Sequence, residues 1–290
     1  ILNLVDLIMP GDAMSPESLP EHLALFHSLF NITNTVLLVG FIPQLCTLVE
    51  KLLKEKDDEV RRAMIIQSSQ ALPQTGELNL ASAQGEVVRM AEVARDMFQG
   101  FQDVYRQPDR DLSSEIKRLK EMEEMTDIMA HNITGHLMLC SSENLSEESA
   151  SRVTALIRVV AEIESICDCT YRLVKLTAKR HRKNRTLSRE TEEKLEEFSG
   201  WVLRFIDFIS NNLKYDVTSH DLNRGAELEA EINRSRKRLR RVAMSRMSNG
   251  EEIAAEMLFI DLLNHMERIG NHCLNALLII SNPSLFHEES

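Results

Sequence analysis

Apolar residues recur at intervals of three and four along most of the chain after residue 84. Val87, Met90, Ala94, Met97, Phe98 and Phe101 form one such stripe. Leu156, Val160, Ile163, Cys167, Thr170 and Val174 form a second, and Phe259, Leu263, Met266, Gly270, Cys273 and Leu277 a third. At about 3.6 residues per turn, each set falls on one face of a helix that can bury it against a neighbour. The periodic segments predict six helices, over 84–106, 112–139, 147–181, 188–213, 218–247 and 250–281. Turn-forming residues separate them at Gln107-Pro108-Asp109, Ser141-Ser142-Glu143-Asn144, Asn184-Arg185-Thr186 and Ser248-Asn249-Gly250. Ser146 and Ser188, each followed by acids, read as N-caps with charges the helix dipole favours.

The six segments read as two copies of three. Moving 156–174 onto 259–277, an offset of 103, brings Val160 onto Leu263, Ile163 onto Met266, Glu164 onto Glu267, Ile166 onto Ile269 and Asp168 onto Asn271. At an offset of 104, Glu123 and Asp127 fall on Glu227 and Glu231. Matching acids on matching helices go beyond what periodicity alone supplies, and an internal duplication is expected.

The first fifty residues follow another pattern. No Lys or Arg precedes Lys51, and residues 22–49 carry no formal charge. That uncharged run exceeds the roughly 20 residues needed to cross a hydrocarbon core. Asp6, Asp12, Glu17 and Glu21 lie before it, and Lys51, Lys54, Lys56, Arg61 and Arg62 after it. The charge asymmetry predicts a transmembrane helix over 21–50 with its C-terminal side in the cytoplasm. His27, Asn31 and Asn34, spaced four and three apart, would share a polar face turned to other helices or a wet cavity. The other reading is a buried helix of a soluble protein. Residues 1–20 read as the end of a preceding hydrophobic element and an external loop. Residues 51–83 read as a stalk and a polar linker, in which Gln67-Ser68-Ser69-Gln70 has no apolar flanks and is not a substrate motif. A chain that starts at Ile1 is expected to be part of a longer one.

Composition agrees with helices. No Pro occurs between 109 and 282, and the chain holds only 10 Gly. The fold class expected is all-α. A net charge of −11 argues against a nucleic-acid partner, which needs clustered cations. Cys46, Cys140, Cys167, Cys169 and Cys273 form no CxxC pair, as expected in a reducing compartment.

Acids four apart on one helical face can share a hard cation through their oxygens. The pairs with this spacing are Glu92/Asp96, Glu123/Asp127, Glu164/Asp168 and Glu227/Glu231, and Glu267 occupies the duplicated position of Glu164. Each pair alone reads as a solvated helix face; the duplication lifts Glu164/Asp168 and Glu123/Asp127 above that. His265 and His272 flank Glu267 and add imidazole nitrogens to the inventory. Two basic runs, Lys179–Arg185 and Arg234–Arg241, read as a dipole-favoured helix end and a solvated face, the second long enough to meet an acidic partner or anionic lipid heads. There is no Gly-rich phosphate loop, HExxH or GxSxG, and the chain is not expected to be an enzyme.

Met266-Glu267-Arg268-Ile269-Gly270-Asn271-His272, with Asn275 following, resembles the ERIGDH…N signature of PhoU-type helical domains. Glu162-Ile163-Glu164-Ser165-Ile166-Cys167-Asp168 resembles the same signature in the first repeat, and Glu227 through Arg240 the middle helix of such a domain fused to bacterial sodium/phosphate cotransporters. His27-Ser28-Leu29-Phe30-Asn31, the apolar run after it and Phe41-Ile42-Pro43 are similar to the last membrane helix of those cotransporters. The resemblance implies a bundle of two three-helix repeats, over 84–185 and 186–282, behind a membrane helix and stalk. It implies the C-terminal segment of a sodium-dependent phosphate symporter of the bacterial inner membrane, with this bundle cytoplasmic and regulatory. The upstream transport core of the same polypeptide would carry sodium and phosphate, and a homodimer is left open. It also implies a divalent metal or iron on E/DxxxD motifs: Glu164/Asp168 and Glu123/Asp127 fit as written, Glu227/Glu231 loosely, and Glu267 lacks its second acid because Asn271 stands there. The alternative is a soluble PhoU-like phosphate-signalling regulator that binds metal and a protein partner.

Overall fold

The computed structural model describes residues 19–52, 76–107, 112–141, 145–183, 187–249 and 252–283. The described residues form seven helices: α1 (Leu19–Leu52), α2 (Gly76–Arg106), α3 (Ser113–Ser141), α4 (Glu147–Arg182), α5 (Arg189–Asn212), α6 (Ser219–Ser248) and α7 (Ile253–Ser281). The chain divides into two compact units, 1–70 and 71–290. The element expected over 1–18, the stalk at 53–62 and the Gln67–Gln70 string lie outside the described residues.

In the first unit, α1 is a single helix of 34 residues. Among the described residues, however, no helix is long and apolar enough to cross a membrane. The expected span over 21–50 is therefore not supported. The reason is visible in the described half of α1, where His27, Ser28, Asn31, Thr33, Asn34 and Thr35 dilute the apolar run. His27, Asn31 and Asn34 are all exposed, but so are Leu23, Phe30, Ile32, Leu37 and Phe41.

The second unit is a bundle of two three-helix repeats. Helices α2, α3 and α4 pack on one another, and so do α5, α6 and α7; the two sets join where α2 meets α5 and α4 meets α7. All residues of the three apolar stripes are buried, with Phe98, Phe101, Phe205 and Phe259 at the centre. Met90, Met97 and Met266 fill space among them, as unbranched side chains do.

Helix starts follow the side chains that satisfy free backbone N–H groups. Ser146 Oγ accepts from Ser149 N at 3.1 Å and Ser188 Oγ from Thr191 N at 3.3 Å. A capping box opens α6: Thr218 Oγ1 accepts from Asp221 N at 3.3 Å, and Asp221 Oδ2 accepts from Thr218 N at 2.9 Å.

Two differences from expectation are informative. Helix α2 starts at Gly76, inside the stretch expected to be linker, because Leu80 and Ala83 continue its buried stripe. In the basic run that ends α4, Arg180 does more than complement the helix dipole. Arg180 is buried, pairs with Glu192 of α5 and lies 4.9 Å from the Tyr105 ring centre. Burial pushes the Tyr105 hydroxyl up to about 12, keeping it neutral beneath that cation.

The α2–α5 contact carries polar as well as apolar groups. Gln102 Nε2 donates to Ser199 Oγ at 2.9 Å inside it, and Gln84 Nε2 donates to the Leu213 carbonyl at 3.1 Å. Arg106 pairs with Glu196 and Lys214 with Glu92 at its rim. The α6–α7 turn is locked by Arg246, whose Nε and Nη2 donate to Glu256 Oε1 and Oε2 at 3.0 and 2.9 Å.

If residues 76–83 belong to the fold, Leu80→Ala leaves a cavity and should cost about 2–4 kcal/mol in urea unfolding. An unchanged midpoint would return this segment to the linker.

Candidate functional site

Four of the expected site residues come together on the outer face of the first repeat. Glu123 and Asp127 stand one turn apart on α3, and Glu164 and Asp168 one turn apart on α4. Because α3 packs along α4, the two pairs lie within reach of one another's fields. Partial burial raises the Glu123 carboxyl above its usual range, with Asp127 and Asp168 adding to the rise and Lys175 opposing it. Burial raises Asp127 as well, helped by Asp168 and Glu124, and Glu164, helped by Asp127 and Asp168. Three carboxyls raised by a shared cause mark a concentration of negative charge whose local cation, Lys175, is insufficient.

The duplicated positions in the second repeat are electrically different. Arg224 Nη1 contacts Glu227 Oε2 at 2.9 Å, and Arg234 Nη2 contacts Glu231 Oε2 at 2.7 Å. The Arg234 hydrogen bond holds Glu231 below its usual range. Arg236 Nε lies 3.7 Å from Glu267 Oε1, and both side chains are mostly buried. Thus the structure gathers Glu123, Asp127, Glu164 and Asp168, whereas each of Glu227, Glu231 and Glu267 has its own arginine.

Oxygen donors of this kind suit a hard cation. Yet among the described residues no three His, Cys, Asp or Glu side chains are arranged to hold a metal ion.

A second cluster sits in the α4–α7 contact, where sequence reasoning considered only the histidines. His272 Nδ1 lies 2.7 Å from Glu162 Oε2, and Asn275 Nδ2 donates to the same carboxylate at 3.4 Å. Burial would raise the Cys169 thiol, but the neighbouring His265, His272 and Arg268 outweigh it and bring the thiol down to about 7. Glu162 and Cys169 are seven apart on α4, and His265 and His272 seven apart on α7, so each pair faces one way across two turns. The contacts run in opposite order along the two helices, as in an antiparallel pair. The signal lay in the duplication itself: the offset of 103 carries Glu162 onto His265 and Cys169 onto His272. Glu162 of the first repeat thus meets His272, the counterpart of Cys169 rather than its own.

The PhoU domain family matches residues 87–177, most of the first repeat. In three dimensions the chain is similar to the crystal structure of PhoU from Pseudomonas aeruginosa. The TM-score is 0.65 at 14% identity, covering 71% of this chain and 97% of that one. The bundle is PhoU-like. A second similar structure is the phosphate transport system regulatory protein PhoU from Streptococcus pneumoniae, with a TM-score of 0.62 at 10% identity over 72% of this chain and 96% of that one. Identities this low speak to the fold alone. No curated protein matches the sequence. The PhoU-like bundle thus accounts for the two repeats, and the acidic face and the α4–α7 cluster are features of this chain's own side chains.

The raised carboxyls have a consequence for stability. The folded state holds their protons more tightly than the unfolded chain, so stability falls as pH rises from the unfolded carboxylate range through the raised folded values. Glu164→Gln should therefore stabilise the bundle at pH 7, by under about 1 kcal/mol because these groups are partly solvated. The gain should vanish near about pH 3, where all carboxyls are protonated. Urea titrations at both pH values check this, and destabilisation at pH 7 would contradict it.

Proposed function

We propose that the PhoU-like bundle regulates phosphate uptake as the cytoplasmic, C-terminal part of a sodium-coupled phosphate symporter of the bacterial inner membrane. The observation that carries this reading is the order of parts: a duplicated PhoU-like bundle follows a separate unit containing a long helix. That helix exposes Leu23, Phe30, Leu37 and Phe41 along one face, large apolar side chains suited to lipid or to other helices. In this reading an upstream transport core of the same polypeptide carries sodium and phosphate. The bundle biases that core through the segment connecting α1 to α2.

A second reading has one observation in its favour. Since no helix among the described residues is apolar enough to cross a membrane, the chain would be a PhoU-like regulator acting on a separate transporter or kinase. The Streptococcus pneumoniae protein is itself described as a regulatory protein of a phosphate transport system.

The two readings part in one experiment on the native protein. In the symporter reading, it stays with membranes through alkaline carbonate. Deleting 76–290 from the whole gene then changes the phosphate response of sodium-dependent uptake by about fivefold or more, the lower end expected for an energetic coupling between sites. Release by carbonate would select the separate regulator. Phosphate uptake identical in the presence and absence of the whole gene would end both.

A further inference from the structure

We propose that the outer face of α6 and the α6–α7 turn beside it form a docking surface for an anionic membrane, with Lys237, Arg238 and Arg241 on the lipid phosphates. The inference goes beyond the transport reading. It uses side chains of the second unit alone and holds equally for a regulator separate from any transporter.

Helix α6 turns Leu228, Ile232, Ser235, Leu239 and Ala243 to the core. Arg234, Lys237, Arg238 and Arg241 recur at i, i+3, i+4 and i+7 on the opposite side, and all are exposed. Arg240 is exposed on the flank. A basic face that only solvated its helix would carry acids one turn away, as Lys117 has Glu121 and Arg189 has Glu193. From Ile232 to Gly250, however, the chain has no Asp or Glu. The nearest acids are engaged elsewhere: Glu231 pairs with Arg234, Glu256 with Arg246, and Glu267 lies against Arg236. Among the described residues, no ion pair answers Lys237, Arg238, Arg240 or Arg241. Glu252 and Asp261 are the exposed acids left in this half of the described hairpin, two against four cations. This excess runs against the sign of a chain whose net charge is −11.

The neighbouring apolar side chains favour a membrane over an acidic protein segment. Met244 follows Lys237 by seven residues, on the same side of α6, and is 52% exposed. Ile253 and Met257, in the first turns of α7, are 63% and 49% exposed. The Arg246–Glu256 pair fixes the turn that sets the end of α6 beside the start of α7. An acidic segment would be met by the cations alone and would leave these three side chains in water. A bilayer surface offers both chemistries in layers, phosphates outermost and acyl chains beneath. The outside of a helical hairpin is convex, as a partner without a groove requires. Most of the cations are arginines, whose planar forks grip a phosphate through two hydrogen bonds at once.

The full chain is mixed with vesicles of phosphatidylglycerol and phosphatidylcholine in equal parts, or of phosphatidylcholine alone, and the bound fraction is read by flotation. Each cation near an anionic surface contributes about fivefold in partition, so the anionic vesicles should bind at least about tenfold more tightly. That gap should close to about twofold between roughly 0.1 M and 1 M salt, where the Debye length falls to about 3 Å. Lys237→Gln/Arg238→Gln/Arg241→Gln should weaken binding to the anionic vesicles at least about tenfold. Arg89→Gln/Lys117→Gln/Lys120→Gln, which removes the same charge from α2 and α3, should stay within about twofold of the parent. The basic residues at 51–62 are common to all three chains, so the comparison isolates α6. Met244→Ser/Met257→Ser should weaken binding by about threefold or more without changing its salt dependence. Equal partition of the unmutated chain into the two kinds of vesicle would overturn the proposal without reference to any variant. So would equal losses in the two triple variants. Binding to polyglutamate with none to the vesicles would overturn it too, and would give the face to an acidic protein segment.

Discussion

The antiparallel contact of α4 with α7 is the constraint on which the bundle depends. Each helix closes the core of its own repeat and also forms the joint with the other repeat. Ile163, Ile166 and Leu173 on α4 and Leu263, Met266 and Ile269 on α7 are all essentially buried. Dispersion and burial hold such a joint without directional demands. Direction comes from the few polar groups it admits, since buried polar atoms must find partners. Glu162 and His272, both largely buried, meet at 2.7 Å only in one register. A slip by one turn would strand them both.

Charge separates the repeats that the backbone makes alike. Both place acids on the second and third helices of the set. In the second repeat the acids are answered within hydrogen-bonding or ion-pairing distance by Arg224, Arg234 and Arg236. In the first repeat they repel one another. The bundle is thus nearly two-fold in shape and unsymmetric in potential, and a partner that reads charge can tell one end from the other.

Much of this was legible in the sequence. The stripes from Val87 to Phe101, Leu156 to Val174 and Phe259 to Leu277 fix faces because a buried helix face has one period and few ways to satisfy it. The start of α2 was harder, since Pro73, Gln74, Thr75 and Gly76 read as linker up to residue 83; Leu80, Ala83 and Val87 nonetheless keep the spacing. The spacing showed Glu123 with Asp127 and Glu164 with Asp168 as pairs on single helices; that the two pairs face one another depends on how α3 packs along α4, which spacing within a helix does not carry. The arginine partners of Glu227 and Glu231 also stand three residues away in sequence, where a helix brings side chains together. Arg180 could not be read this way, because its partners Glu192 and Tyr105 come from two other helices.

The joint also spans a long interval of chain. Glu162 and His272 are 110 residues apart, and Gln84 reaches Leu213 across 129. At roughly 5–20 residues per second of synthesis, α4 waits on the order of 5–20 s for α7 to emerge. Within each repeat the neighbours are local and close early, in keeping with the fast folding of helical hairpins. The first repeat therefore leaves the ribosome as a finished three-helix half with one greasy side uncovered. For that interval it is a natural client for a chaperone, and a site where two nascent chains can pair wrongly by each lending the other its seventh helix.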